Sequence, residues 1–362
     1  MPSNKNIIII SNEPWGDVWY SKHNYAYELS KKNKVIFLNP PKKWKLGNLF
    51  KKIEISAISD NLFQLTYTNI LPSVNTIFFK LNNLLVSLKL KRFFKENNFA
   101  DYICWTFDPY RLYSPQKLGA SKSLFHIVDN YQFNHRGEKE TCNNSDYFVC
   151  VSENIAKNYK SFNKRMLVIP HALSSDEFIS TQRPTEIPEK QYALYIGNID
   201  KRLDYDQIER IIIAFPTIEF VFIGKLHFAP NNIAADAIFN KKKYSNVKYL
   251  GIKNFKELKN YIKHAKFCFA WMDEKFHGNR IAHHKIFQYL AFGKPVFCSV
   301  FSDYIPIKSY LYMEDDTDNM IQIIDNYMKN GEDPHLVDQR INMAKEHTFE
   351  KALAKIDLFI NE

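Results

Sequence analysis

Two short stretches place a glycine just past an apolar run with a fixed cation close behind: Gly197-Asn198-Ile199-Asp200-Lys201-Arg202, and Gly224-Lys225. A glycine there lets the backbone approach a diphosphate, and a nearby Arg or Lys neutralises its charge. A third stretch, 278–299 (GNRIAHHKIFQYLAFGKPVFCS), reads as a loop, a helix, a tight turn and a buried strand. Ile281, Lys285, Gln288 and Tyr289 fall at helical spacing, as do Ile286, Leu290 and Gly293. Gly293 suits the left-handed residue that ends many helices, and Val296-Phe297-Cys298 suits a buried parallel strand. Residues 279–284 then stand at or near a helix N-terminus, whose exposed N–H groups and partial positive charge favour phosphate, with His284 a further candidate contact. The same spacing also fits an ordinary helix feeding a strand of an α/β sheet. Arg202 has its own plainer reading, a surface ion pair with Asp204 or Asp206.

Asp129 follows the apolar run Leu124–Val128, where a side chain projects past the carboxyl edge of a sheet. Asp17 lies in the polar, aromatic loop SNEPWGDVW after Ile7–Ile10. Both have the chemistry of a general base, and the sequence ranks neither above the other. His126 lies inside its strand and reads as a packed core histidine. Glu314–Asp318, EDDTD, contains a D-x-D text of the kind that binds metal. It stands just before a helical pattern, so capping and dipole stabilisation explain it better. His277, His283 and His284 lack the carboxylate or cysteine partners of a zinc site. No metal and no cofactor are expected. The chain has no G-x-G-x-x-G, Walker loop or G-x-S-x-G, which counts against dehydrogenase, kinase and α/β-hydrolase chemistry.

The elements that must hold these residues alternate. Strands are expected at 7–10, 35–38, 102–106, 123–128, 147–151 and 166–169, then at 192–196, 218–223, 247–250, 267–271 and 296–298. Helices are expected between them, with Ser152 capping one that runs to about Tyr159. The polar stretch 181–191 carries two prolines in TQRPTEIPEKQ and reads as a linker. The fold class is therefore α/β, with two Rossmann-like, doubly wound domains facing a cleft: 1–180, and 192–347. At 362 residues the chain exceeds one typical core, which agrees with two domains.

The formal net charge of +10 favours an anionic partner. Lys42–Lys52 and Ile77–Phe94 interleave basic and apolar residues, a pattern that suits an anionic membrane surface as well as a solvated face. No nucleic-acid motif occurs, and no nucleic acid is expected as a partner. The five cysteines form no C-x-x-C pair and lie mostly in apolar runs, so buried free thiols in a reducing compartment are expected. The N-terminal apolar run is only Ile7–Ile10, too short for a signal segment, and no run approaches bilayer length. The expectation is a cytoplasmic protein, with peripheral association at the inner membrane face kept open.

K-I-F-Q-Y-L-A-F-G-K-P-V, Y-I-G-N-I-D-K-R-L-D and F-I-G-K resemble the donor-site segments of GT-B glycosyltransferases of the family-4 type. D-Y-F-V-C-V-S-E, followed by V-I-P-H-A-L-S-S-D-E-F, resembles the end of that family's first domain, and the loop carrying Asp17 resembles the opening of bacterial surface-polysaccharide glycosyltransferases. The resemblance implies a sugar transferase using a UDP- or GDP-type nucleotide sugar and a glycan or lipid-linked acceptor in cell-surface polysaccharide assembly. It implies that 1–180 binds the acceptor, that 192–347 binds the donor, and that a final helix within 348–362 crosses back to the first domain. It also implies that Arg202 and Lys285 hold the diphosphate, with Lys225 next and Gly197 admitting the backbone. Gln288 stands where the family carries a Glu that holds the ribose or sugar, and Arg280 stands where many members carry a second Glu. Those two departures leave two alternatives open: a nucleotide-sugar-binding protein without catalysis, or an epimerase or hydrolase on the same fold.

Overall fold

The computed structural model describes residues 3–16, 18–42, 44, 52–72, 76–131, 136–180, 182–227, 232–273 and 283–362. They form two compact units, Met1–Pro170 with Phe349–Glu362, and His171–Thr348.

The first unit is built on an eight-stranded sheet in the order β3-β4-β2-β1-β5-β6-β7-β8. Its strands are β1 (Asn6–Ile10), β2 (Lys34–Leu38), β3 (Glu54–Ser59), β4 (Leu62–Thr66), β5 (Tyr102–Thr106), β6 (Lys122–Ile127), β7 (Tyr147–Cys150) and β8 (Arg165–Val168). All pairings are parallel except β3 with β4. β1 is central, with Ile7 opposite Val35 on one side and Ile103 on the other. Its four isoleucines are buried, as a strand covered on both faces requires. The helix Phe349–Asn361 belongs to this unit and buries Phe349, Ala352, Leu353, Ile356 and Ile360 along one stripe. Phe349 meets Tyr25 edge-on at 4.9 Å, and Lys122 Nζ donates to the Ile360 carbonyl at 2.7 Å.

The second unit carries an all-parallel sheet in the order β11-β10-β9-β12-β13-β14. Its strands are β9 (Tyr192–Ile196), β10 (Glu219–Ile223), β11 (Val247–Tyr249), β12 (Phe267–Ala270), β13 (Val296–Cys298) and β14 (Tyr312–Met313). Sequence order reverses around β1 in the first sheet and around β9 in the second. Such switch points leave a crevice at the strands' carboxyl ends.

The division of the chain falls at residue 170, earlier than the stretch 181–191 that reads as a linker. Packing explains the difference. Leu173 is fully buried in the second core and its N–H donates to the His347 carbonyl, while Ile187 is buried in the same core. The hairpin β3–β4 has no counterpart among the expected strands. β3 is an exposed edge strand whose Ser and Ala residues give no apolar run. Its signal was the tight turn at Asp60-Asn61.

The helix His284–Leu290 starts later than the spacing suggests and is capped at Ala291; Gly293 follows in the left-handed region at φ 64°. Ser152 caps its helix by accepting from Ile155 N–H, and that helix ends at Lys157. All five cysteines are buried and unpaired. Among the described residues no helix is long and apolar enough to cross a membrane.

Gly224 has φ 143°, and a Cβ placed there would stand 1.9 Å from the Gly197 carbonyl oxygen. Gly224→Ala should therefore destabilise the protein by about 2–4 kcal/mol, combining backbone strain with overpacking against main chain. Gly16→Ala meets nothing within 4 Å and should stay within about 0.5 kcal/mol of the parent, both read from urea-unfolding midpoints.

Candidate functional site

At the carboxyl ends of β9 and β10 two glycines pack main chain on main chain. Gly197 N–H donates to the Ile223 carbonyl at 2.9 Å, and Ile199 N–H to the Lys225 carbonyl at 2.9 Å. Gly197 sits at φ 141°, and a Cβ there would lie 2.6 Å from Lys285 Nζ. The space that a side chain at 197 would take is thus occupied by the Lys285 ammonium. That group lies 4.1 Å from the centre of the Tyr195 ring and donates to the Tyr195 hydroxyl at 3.0 Å. The hydroxyl in turn donates to the Asn198 carbonyl at 2.8 Å.

Arg202 enters from the same loop. Its Nε and Nη2 edge faces the Asp200 carboxylate at 2.7–3.0 Å, which fixes the plane of the guanidinium. The partner is Asp200 and not Asp204 or Asp206. Asp204 is occupied as the N-cap of the helix Tyr205–Ala214, accepting from Gln207 N–H at 3.0 Å. Burial pushes the Asp200 carboxyl up, but Arg202 outweighs it and holds the group below the ordinary carboxylate range. Burial, and then the nearby Arg202 charge, push the Lys285 ammonium down to about 7 against the opposing pull of Asp200. Arg202 and Lys285 therefore share one corner of the second unit, close enough to repel each other. That corner can neutralise a polyanion, and an arriving diphosphate relieves the repulsion.

The remaining donor candidates are placed differently. Lys225 is exposed, while its carbonyl is tied to Ile199. His284 points its Nε2 at the Ala172 carbonyl, 3.0 Å away, and burial lowers its pKa to about 4, so it is neutral at physiological pH. A neutral ring engaged with a carbonyl adds no charge for a phosphate. Gln288 is buried, and its Nε2 donates to Glu177 Oε1 at 2.7 Å. Of the acids at 314–318, Asp316 caps the helix Thr317–Asn330 by accepting from Asn319 N–H at 2.9 Å, Asp315 accepts from Val300 N–H at 2.8 Å, and Asp318 pairs with Arg210.

In the first unit, Asp129 is exposed two residues past the end of β6. Asp17 and Arg280 lie outside the described residues. His126 is buried, stacked on Phe107 at 4.7 Å, and accepts from Trp105 Nε1 at 3.3 Å, the environment of a core histidine. Two features here escaped the sequence reading. Lys22 is buried and donates to Asn12 Oδ1; burial lowers its pKa against the pull of Glu13, Asp129 and Asp108. Asp108, buried at the end of β5, is held by Arg111 Nε at 2.8 Å and by Tyr110 N–H at 2.7 Å. In the second unit, Glu177 and Tyr195 were missed. Glu177 had a signal, the capping-box text of Ser174 followed three residues on by an acid. Tyr195 had none, because it alternates within a wholly apolar strand.

No protein-family model matches the chain, and no curated protein matches its sequence. Solved structures do match its coordinates over nearly the full length. The E. coli structure described as trehalose-6-phosphate bound with UDP-2-fluoro glucose aligns at TM-score 0.70 and 12% identity, covering 98% of this chain and 99% of that one. The sucrose-phosphate synthase of Thermosynechococcus elongatus aligns at TM-score 0.67 and 13% identity, covering 99% of each. The fold is GT-B. A UDP-forming α,α-trehalose-phosphate synthase from Burkholderia xenovorans aligns equally well, at TM-score 0.67 and 10% identity over 99% of each chain. At these identities the likeness establishes the GT-B architecture, and the chain's own residues must carry the rest.

The Lys285 ammonium gives this corner a definite pH response. Below about 7 it is charged and attracts an anion; as pH rises through that value in the empty protein the charge is lost. Sulfate, whose charge does not change in this range, should therefore bind less tightly at pH 8.5 than at pH 6.5 and should take up protons on binding. Calorimetry in two buffers of different ionisation enthalpy measures both effects, and Lys285→Met should abolish the proton uptake.

Proposed function

We propose that this chain is a glycosyltransferase that moves a sugar from a nucleotide diphosphate donor to a glycan or lipid-linked acceptor in cell-surface polysaccharide assembly. One observation carries the reading: Arg202 and Lys285 converge at the Gly197 and Gly224 strand ends of a GT-B unit. Departure of a nucleoside diphosphate leaves negative charge on the β-phosphate, and fixed cations stabilise that charge as it develops. With two such cations in place the reaction runs without a bound metal, and no cofactor is required. Structures of similar fold are described as UDP-forming or as bound to a UDP sugar, which favours UDP over GDP as the nucleotide here. Asp129 and Asp17 are the candidates for taking the proton of an acceptor hydroxyl. Asp129 has Lys22 among its charged neighbours.

The lipid-linked acceptor draws support from the helix Thr76–Glu96. Ile77, Leu81 and Leu88 follow one face and are exposed, with Ile77 at 77%. Lys80, Lys91, Arg92 and Lys95 flank them on exposed positions. An apolar stripe bordered by basic residues matches the chemistry of an anionic lipid surface, where each basic side chain near the surface contributes about 1 kcal/mol. Association of this face with the inner leaflet of the cytoplasmic membrane would bring the enzyme to such an acceptor.

Two measurements test these readings. UDP should raise the melting temperature, and Arg202→Ala should weaken UDP binding roughly 10- to 100-fold, the loss of a charge-assisted contact worth about 1.5–3 kcal/mol. Absence of any response to UDP, GDP or their sugars would overturn the transferase reading. Vesicles rich in phosphatidylglycerol should co-sediment the protein while phosphatidylcholine vesicles do not, and Ile77→Glu with Leu81→Glu should release it. Retention of that variant on the anionic vesicles would remove the helix from the argument.

A further inference from the structure

The loop between β1 and the helix Ser21–Ser30 leaves the first sheet at the strand around which sequence order reverses. It shows apolar side chains to solvent: Val18 is 47% and Tyr20 44% exposed, with Trp15 and Trp19 partly buried beside them. The main chain beneath them is held at several points. His23 is fully buried and its Nδ1 accepts from Tyr20 N–H at 3.1 Å, so Nε2 carries the hydrogen and donates to the Pro14 carbonyl at 3.0 Å. Burial lowers this imidazole to about 4, which keeps it in that neutral form. Asn39 Oδ1 accepts from Trp15 N–H at 2.8 Å, and Ser11 Oγ donates to the Glu13 carbonyl at 2.6 Å. Trp15 meets Trp19 edge-on at 5.3 Å, and Trp19 stands 5.5 Å from Tyr27. Exposed rings on a fixed backbone are preorganised, because binding has little freedom left to remove.

Polar groups gather beside this surface. The Lys22 ammonium lies 5.1 Å from the centre of the Tyr20 ring and donates to Asn12 Oδ1. Glu13 and Asp129 both act on that ammonium, and both act on Tyr110. Glu13 is partly exposed and engages Ser11 through its main chain; among the described residues no hydrogen bond involves its carboxylate. The sequence 11–20 contains Glu13 and Asp17 and no Lys or Arg, so the loop is acidic. That sign disfavours an anionic lipid surface and an acidic sugar alike. A neutral pyranose suits both features: its C–H groups form an apolar face that packs on a ring, and its hydroxyls donate to a carboxylate.

We propose that Tyr20 and Glu13 form a sugar-binding subsite of the first unit: a neutral pyranose of the acceptor glycan stacks on the Tyr20 ring and donates a hydroxyl hydrogen bond to the Glu13 carboxylate. This rests on the acceptor reading of that unit and deepens it by naming the class of sugar. His23 is a positioning residue here, since it fixes the main chain on both sides of the exposed rings.

Saturation-transfer NMR on the full chain tests this with the methyl pyranosides of glucose, galactose, mannose, rhamnose and N-acetylglucosamine, and thermal melting checks folding. At least one should bind and receive saturation mainly at its ring C–H protons. Tyr20→Ala should weaken that binding roughly 2- to 12-fold, the range of one aromatic contact, while Tyr20→Phe should stay within about twofold. Glu13→Ala should weaken it at least about tenfold, as expected for a hydrogen bond to a charged group. Methyl glucuronide should bind more weakly than methyl glucoside, and the reverse order overturns the neutral assignment. Silence from all the glycosides overturns the proposal. So does a lowered melting temperature in Tyr20→Ala with unchanged sugar affinity, which marks the ring as packing alone. Release from phosphatidylcholine vesicles by Tyr20→Ala without any effect on sugar binding would assign the loop to a bilayer and also overturn it. Should Tyr20→Ala fail to fold, Glu13→Ala decides, and unchanged affinity there overturns the proposal. A protein that responds to UDP yet binds no glycoside loses only this subsite; one that responds to neither loses the transferase reading itself.

Discussion

The candidate site of the second unit depends on a main-chain contact. β9 and β10 run in register to Ile196 and Ile223, and both then pass into glycines in backbone conformations that other residues resist. Gly224 N–H donates to the Gly251 carbonyl while its α-carbon packs on the Gly197 carbonyl. Without side chains the two strand ends approach closely, and the room left beside Gly197 is filled by the Lys285 ammonium. A cation is thus lodged by the absence of an atom elsewhere. The helix that carries Lys285 is in turn fixed by Tyr289, whose hydroxyl accepts from Ile196 N–H at 2.9 Å.

Electrostatics around that contact are set before any ligand arrives. Asp200 is spent on Arg202, and Tyr195 offers Lys285 a ring face and a hydroxyl, so among the described residues whose charges act on Lys285, Asp200 is set against Arg202. The imbalance disfavours the charged form of Lys285 in the empty protein and favours it when phosphate oxygens are near. Asp200 has a second consequence: by engaging one edge of the guanidinium it directs the group as a rigid plate, which a single-point lysine does not permit. The corner combines one oriented cation with one whose charge responds to its surroundings.

Much of this architecture is visible along the chain because buried parallel strands announce themselves. β5, β9 and β13 fall at the residues that their apolar runs mark out, and the other long core strands differ by about a residue at an end. The hairpin β3–β4 was hidden for the opposite reason, since an exposed edge strand has no need of an apolar run. At the site, the glycines, Arg202 and Lys285 were legible because each is of a distinctive type at a strand end or on a periodic helix. The partners were not. Nothing in the spacing favours Asp200 over Asp204 for Arg202 until Asp204 is seen to cap a helix. Lys22 and Asp108 likewise look like ordinary polar residues until burial shows how closely they are held.

Gln288 shows where local reading stops. By the family-4 resemblance, it is an amide at a position where that family carries a carboxylate, and the substitution looks like a loss. In three dimensions the carboxylate is present, carried by Glu177 on a different segment and anchored by Ser174. An amide facing a carboxylate avoids the repulsion that two ionised carboxylates in contact would suffer. The chemistry of such a site belongs to the set of atoms that meet there, and one chain position cannot report it. The same logic limits what the shared GT-B architecture can say: the fold provides the strand ends, and the side chains that meet there are this chain's own.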